Sequence, residues 1–298
     1  MIISHENKLA APFSGRHTRG LFVTDLDGTL LRSDRTFDPV DLSALKQLGD
    51  QGVVRAIATG RSMYSFNTVA DSNLPVDFVI FSTGAGIAQY PGGRIIRKTS
   101  LEPHEVEYAC KVLKAAQLDF MVQHPIPDNH AFAYFQSGTG NSDFERRISL
   151  YNRYAYPLES SSSAFGPATQ LLAILPPQNP TRVLTKIRAE LPQYNVIQTT
   201  SPLDGESTWI EIFPRAVSKS LTTAWMANEM GISQQQTASV GNDYNDLDLL
   251  EWACSSYVVD NAPADLKSRF PSVASNNNCG VAEVIKRWSA VMRPSENP

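Results

Sequence analysis

Apolar residues along this chain follow two alternating rhythms. Short unbroken runs, Leu21-Phe22-Val23-Thr24, Val53 to Ala58 and Val76 to Phe81, are rich in β-branched and aromatic residues and end at turn-forming residues. Such runs predict strands buried on both faces. Between the first two, Asp38-Pro39 places a capping carboxylate before a proline in the first turn of a helix. Leu42, Leu45 and Leu48 then form a stripe, and Gly49 and Gly52 close it. Strand, helix and strand in that order predict a parallel, doubly wound sheet.

After about Ile87 the rhythm changes. A helix is expected from Glu105 to Gln117, with Val106, Ala109, Cys110 and Leu113 on one face. Strand patterns follow at Phe120 to Gln123 and Ala131 to Gln136, a serine-rich surface loop at Ser160 to Ser163, and a strand at Leu171 to Leu175. A helix around Thr181 to Glu190 precedes strands near Val196 and at Trp209 to Phe213. From Ser218 the first rhythm resumes: a helix, a strand Ala238 to Val240, a helix from about Asn245 and a strand Tyr257 to Val259. The reading is a Rossmann-like α/β core over 20–86 and 214–298, an α+β insert over 87–213, and a loose tail over 1–19.

Composition narrows the class. The 298 residues exceed one minimal domain and carry 42% hydrophobic and 19% charged positions, as globular chains do. Twenty-six basic and 30 acidic residues leave a formal charge of −4, which argues against broad nucleic-acid binding. Three scattered cysteines (Cys110, Cys254, Cys279) suit a reducing compartment rather than a disulfide framework. Neither a secretory apolar stretch nor an 18-residue apolar run is present, so a soluble cytoplasmic protein is expected, with no membrane partner. Oligomeric state is not readable.

Four clusters carry chemistry, each beyond the end of an expected core strand, where ligands bind in such sheets. In Asp25-Leu26-Asp27-Gly28-Thr29 two carboxylates two residues apart can converge. They repel unless a cation neutralises them or one holds a proton. A magnesium site, a nucleophile beside an acid and a plain Asp-Gly turn all stay open; an EF-hand does not, because Leu30 and Thr36 stand where glycine and glutamate are needed. Gly241-Asn242-Asp243-Tyr244-Asn245-Asp246 gathers more oxygen ligands than a helix cap requires, and without histidine or thiolate they favour Mg²⁺ over zinc. Thr59-Gly60-Arg61-Ser62 offers a hydroxyl, exposed backbone N–H groups and an arginine, a phosphate cradle or else a plain cap. Lys219 opens a helix, where a cation opposes the macrodipole unless an anion sits beside it. His17, His124 and His130 are scattered, and no dinucleotide, zincin or Walker motif is complete.

In chain order the four clusters resemble the haloacid dehalogenase superfamily of phosphohydrolases, in the Cof-type branch with a large cap between the second and third motifs. Asp25-x-Asp27-Gly28-Thr29 is similar to motif one, Thr59-Gly60-Arg61 to motif two, Lys219 to motif three and Gly241 to Asp246 to motif four. Thr83-Gly84-Ala85 stands where the family usually has Asn-Gly-Ala, and Asn242 where it usually has a metal-binding aspartate. The resemblance implies that Asp25 is the nucleophile, Asp27 the general acid and base, and Lys219 a catalytic and phosphate-binding cation. It implies phosphate contacts from Thr59, Gly60 and Arg61, and supporting roles for Thr83, Asn245 and Asp246. Mg²⁺ would sit on Asp25, the Asp27 carbonyl and either Asn242 or Asp243, beneath an inserted cap that closes over the site. The implied activity is Mg²⁺-dependent hydrolysis of a small phosphorylated metabolite such as a sugar phosphate. A phosphotransferase or mutase using the same intermediate, and a non-catalytic phospho-ligand sensor, are the alternatives.

Overall fold

A computed structural model describes residues 18–138, 140–158, 165–175 and 180–292; most of the expected tail, His17 and the serine loop Ser160 to Ser163 lie outside them. The elements in chain order are β1 (Gly20–Thr24), α1 (Pro39–Asp50), β2 (Val53–Ala58), α2 (Met63–Phe66), β3 (Phe78–Phe81), β4 (Gly86–Gln89) and β5 (Ile95–Lys98). Next come α3 (Pro103–Ala115), β6 (Phe120–Gln123), β7 (Phe132–Phe135), α4 (Ser142–Leu150), β8 (Ala155–Pro157), β9 (Gln170–Leu175), α5 (Pro180–Glu190), β10 (Tyr194–Thr200) and β11 (Thr208–Pro214). The chain continues with α6 (Lys219–Glu229), β12 (Thr237–Gly241), α7 (Leu247–Trp252), β13 (Ser255–Val259), α8 (Ala264–Arg269), β14 (Ser272–Val273) and α9 (Gly280–Met292). No helix among the described residues is long and apolar enough to cross a membrane.

The chain divides into two compact units, one of 1–61, 66–97 and 219–298, the other of 62–65 and 98–218. In the first, eight strands run in the order β14-β13-β12-β1-β2-β3-β4-β5. The pairs from β14 to β3 are parallel, and β4 lies antiparallel to β3. β1 is buried along its whole length because it is central: the chain winds outward from it through β2 and β3, then restarts at β12 on its other side. That reversal opens a crevice beyond the carboxyl ends of β1 and β12, the usual ligand position in a doubly wound sheet.

Helix α1 begins as its sequence predicts, with Asp38 accepting from the Val40 N–H at 2.8 Å. Helix α9 was not expected, because its capping group is remote in sequence. The Asp41 carboxylate, on α1, accepts from the Ala282 N–H at 2.7 Å. Val281, Val284, Ile285 and Trp288 then give α9 a buried stripe. The change of rhythm expected near Ile87 begins later, since β4 and β5 still belong to the core sheet.

The second unit is a mostly antiparallel sheet in the order β10-β11-β9-β6-β7-β8. Alternation along β9 sends Leu171, Ala173 and Leu175 into a core shared with Val106, Leu113, Leu184 and Ile187 of α3 and α5. Leu172 and Ile174 face the opposite way, into a cluster with Phe132, Trp209 and Phe144 of α4.

Candidate active site

Asp25 follows β1 directly, and its backbone N–H donates to the Val240 carbonyl of β12 at 2.9 Å, which pins the first motif at the crevice. Lys219, at the start of α6, is fully buried. Its Nζ donates to Asp25 Oδ1 at 2.7 Å and to Asp246 Oδ1 at 2.5 Å. The helix-start lysine therefore has its anion, and it has two. Asp246 Oδ2 in turn accepts from the N–H groups of Asn242 and Asp243 at 2.8 and 3.1 Å, so the fourth motif wraps around one carboxylate. Gly241 is required for this approach: a Cβ there would stand 2.5 Å from Asp246 Cγ.

Two carboxylates and one ammonium leave this buried cluster one negative charge in excess. Burial, joined by the Asp246 carboxylate, pushes the Asp25 carboxyl up to about 7 against the pull of Lys219. For Lys219 burial acts downward, but Asp246 and Asp25 overrule it and hold the amine above the usual lysine range. The anionic form of Asp25 is thus short of one cation.

Arg61, expected to contact phosphate, lies against the first motif in this structure. Its Nε donates to Asp27 Oδ2 at 2.7 Å and its Nη2 to Asp27 Oδ1 at 2.6 Å, a bidentate fork on the second carboxylate of motif one. Thr59 is buried after β2, with its hydroxyl oxygen accepting from the Arg61 N–H at 3.1 Å. Gly60 beside it is exposed. Thr83 is buried in a left-handed conformation (φ 54°), its N–H donating to the Thr59 carbonyl at 3.0 Å. A β-branched residue there costs about 1–3 kcal/mol of backbone strain. The position is one that asparagine adopts more readily. Asn245 lies half-buried in the short turn before α7, and among the described residues its side chain makes no hydrogen bond to this cluster.

Asn242 faces Asp25. The end of its amide nearest motif one lies 3.2 Å from Asp25 Oδ2 and 3.1 Å from both the Asp27 carbonyl oxygen and Thr29 Oγ1. Asp243 instead precedes the turn and binds Asp246 through its backbone. Thr29 and Asn261 also stand at the site, though neither carried a role of its own in the sequence. Asn261 Nδ2 donates to the Gly28 carbonyl at 2.8 Å and braces the first loop from outside.

Residues 22–285 match the haloacid dehalogenase-like hydrolase family. The chain belongs to that family. Among its relatives, the 5-amino-6-(5-phospho-D-ribitylamino)uracil phosphatase YwtE of Bacillus subtilis is 24% identical over 280 residues, 88% of this chain and 95% of its own. The HMP-PP phosphatase of Yersinia enterocolitica is 22% identical, over 90% of this chain and 94% of its own. Among solved structures, the phosphatase BT1666 of Bacteroides thetaiotaomicron superposes with a TM-score of 0.73 at 17% identity, covering 97% of this chain and 98% of its own. This haloacid dehalogenase-like hydrolase is accordingly an enzyme of the phosphatase class, with the family's α/β fold.

The family implies Mg²⁺, and the donors present fit it. Asp25 Oδ2, the Asp27 carbonyl and the Asn242 amide oxygen are all hard ligands, with spacings of 3.1–3.2 Å about the amide. Octahedral Mg²⁺ at about 2.1 Å from each ligand sets neighbouring oxygens about 3 Å apart, and the ion commonly uses only one or two carboxylates. The excess negative charge beside Asp25 asks for such a cation. Among the described residues no three His, Cys, Asp or Glu side chains form a metal cluster.

Proposed function

We propose that this hydrolase is a Mg²⁺-dependent phosphatase that cleaves small phosphorylated metabolites, sugar phosphates among them, through a phosphorylated Asp25. The carrying observation is the buried Asp25, gripped at Oδ1 by Lys219 and presenting Oδ2 beside the Asp27 carbonyl and the Asn242 amide. The names of the relatives, which act on phosphorylated small molecules, support the substrate class.

In this reading an Asp25 oxygen attacks phosphorus while the bond from phosphorus to the leaving oxygen breaks. Asp27 gives its proton to the departing alkoxide, then takes one from the water that releases inorganic phosphate. The Arg61 fork holds both Asp27 oxygens and so fixes where that carboxyl stands for both proton transfers. Lys219 and the Thr59 hydroxyl offset charge on the phosphoryl oxygens, where phosphoryl transfer needs most help. Mg²⁺, which Asp25, the Asp27 carbonyl and the Asn242 amide would hold, would supply further positive charge for phosphoryl transfer. The inserted unit is assigned the choice among phosphate esters. Three free cysteines suit a reducing compartment, the cytoplasm.

Asn242 supports a second reading, a phospho-ligand sensor that binds without turnover. Phosphate release from p-nitrophenyl phosphate and a panel of sugar phosphates separates the two. The phosphatase reading expects release that stops with EDTA and in Asp25→Asn. Undiminished release in Asp25→Asn overturns it, and tight binding with no release at saturating Mg²⁺ establishes the sensor.

A further inference from the structure

The Asn242 amide meets a contradictory set of neighbours. As an oxygen, the end facing Asp25 accepts from the Thr29 hydroxyl at 3.1 Å but also confronts Asp25 Oδ2 at 3.2 Å and the Asp27 carbonyl at 3.1 Å, both acceptors. As a nitrogen, the same end lies within donating distance of all three, with two protons to share among them. With Asp25 ionised, an oxygen there suits a cation shared with Asp25 and the Asp27 carbonyl, and a nitrogen suits the site without one. A carboxylate at this position could never satisfy the cation-free arrangement, because it has no proton to donate.

We infer that Asn242 is a two-state element that closes the metal site on itself: its NH2 bridges Asp25 and the Asp27 carbonyl in the metal-free enzyme, and the amide turns over to offer its oxygen when Mg²⁺ enters. The inference rests on the Mg²⁺ reading of the site. Two consequences follow from the chemistry. The metal-free state is stabilised by hydrogen bonds that Mg²⁺ must displace, and the bound state has one formal ligand charge fewer than a carboxylate would supply. Both lower the affinity for Mg²⁺. Room for the amide beside the first loop depends on Gly28, where a Cβ would stand 2.6 Å from Asn242 Nδ2. Only glycine leaves room at that point, and its φ of +74° suits glycine too.

The test is calorimetric titration of Mg²⁺ into the full-length enzyme after EDTA dialysis, wild type against Asn242→Asp, with melting temperatures measured in both states. The expected result is binding at least about tenfold tighter in Asn242→Asp, from the added ligand charge. Its metal-free melting temperature should fall, since two carboxylates then face each other, and the rise on adding Mg²⁺ should exceed the wild type's. Equal or weaker binding by Asn242→Asp, or an undiminished metal-free melting temperature, overturns the inference while leaving the Mg²⁺ reading standing. No heat of Mg²⁺ binding to either protein overturns both. Should Asn242→Asp fail to fold, the wild-type side-chain NH2 resonances of Asn242, assigned by their absence in Asn242→Ala, decide. They should be protected from solvent exchange without metal and lose that protection at saturating Mg²⁺; a pair unchanged by Mg²⁺ overturns the inference.

Discussion

Replacing Lys219 with methionine tests how the buried charges are balanced. Methionine nearly matches the lysine stem in length, so the apolar packing around α6 survives and the change is chiefly electrostatic. The ammonium removed is fully buried and bonded to two carboxylates at 2.5 and 2.7 Å. Removing one partner of such a buried set costs about 3–5 kcal/mol, because the remaining charges lie uncompensated. Asp246 keeps two backbone donors, so Asp25 bears most of the penalty. Its carboxyl already sits near 7, and loss of Lys219 pushes it higher still. An acid whose folded-state pKa exceeds its unfolded value destabilises at high pH and ceases to do so once protonated in both states. Urea unfolding without divalent ions should therefore show a wild-type advantage that is level from about pH 4 to about pH 6.5, where Asp25 is protonated in both folded proteins, and that widens above about pH 7, where the wild-type carboxyl ionises and the variant's does not. A loss below about 1 kcal/mol, of the size seen for exposed ion pairs, or a loss independent of pH, would refute the charge balance drawn here.

Two further variants probe the surrounding shell. Asp41 is buried, caps α9, has one oxygen without a partner among the described residues, and is pushed up to about 6 by burial foremost. Stability should fall as pH rises from about 4 to above 6, by up to about 3 kcal/mol for a shift from 3.8 to about 6. Asp41→Asn should be the more stable protein at pH 7.5 by about 1–3 kcal/mol, with no advantage near pH 4; a less stable variant at pH 7.5 would reverse this reasoning. Arg61→Ala frees Asp27 from its fork and should lower kcat by about tenfold to a hundredfold with little change in KM. A rise in KM alone would show that Arg61 grips the phosphate instead.

The core fold and the members of the site were legible because they are local signals. β1, β2 and β12 are short apolar runs, and each of Asp25, Thr59 and Asn242 stands directly beyond one of them. The unfavourable placement of Lys219 at a helix start was itself a sign of an anion, and Asp25 and Asp246 supply it. What could not be read depends on partners distant in sequence. Arg61 had no visible reason to hold Asp27, 34 positions away. Helix α9 lacked its own capping residue because Asp41, on α1, provides it. The β4–β5 extension was obscured by its shortness, four residues each, and by the turn between the two strands. The different placements of Asn242 and Asp243 also depend on the backbone: the turn after β12 aims the Asn242 amide at Asp25 and ties Asp243 to Asp246.

The central claim, that Asp25 carries the phosphoryl group during turnover, is tested most directly by rapid acid quench of a reaction with a turned-over phosphate ester, followed by mass spectrometry of the peptide holding residue 25. The account predicts a phosphorylated Asp25 that appears before free phosphate and decays as phosphate accumulates, absent in Asp25→Asn. Full turnover with Asp25 never modified, or a phosphoryl group trapped on another residue, would contradict it.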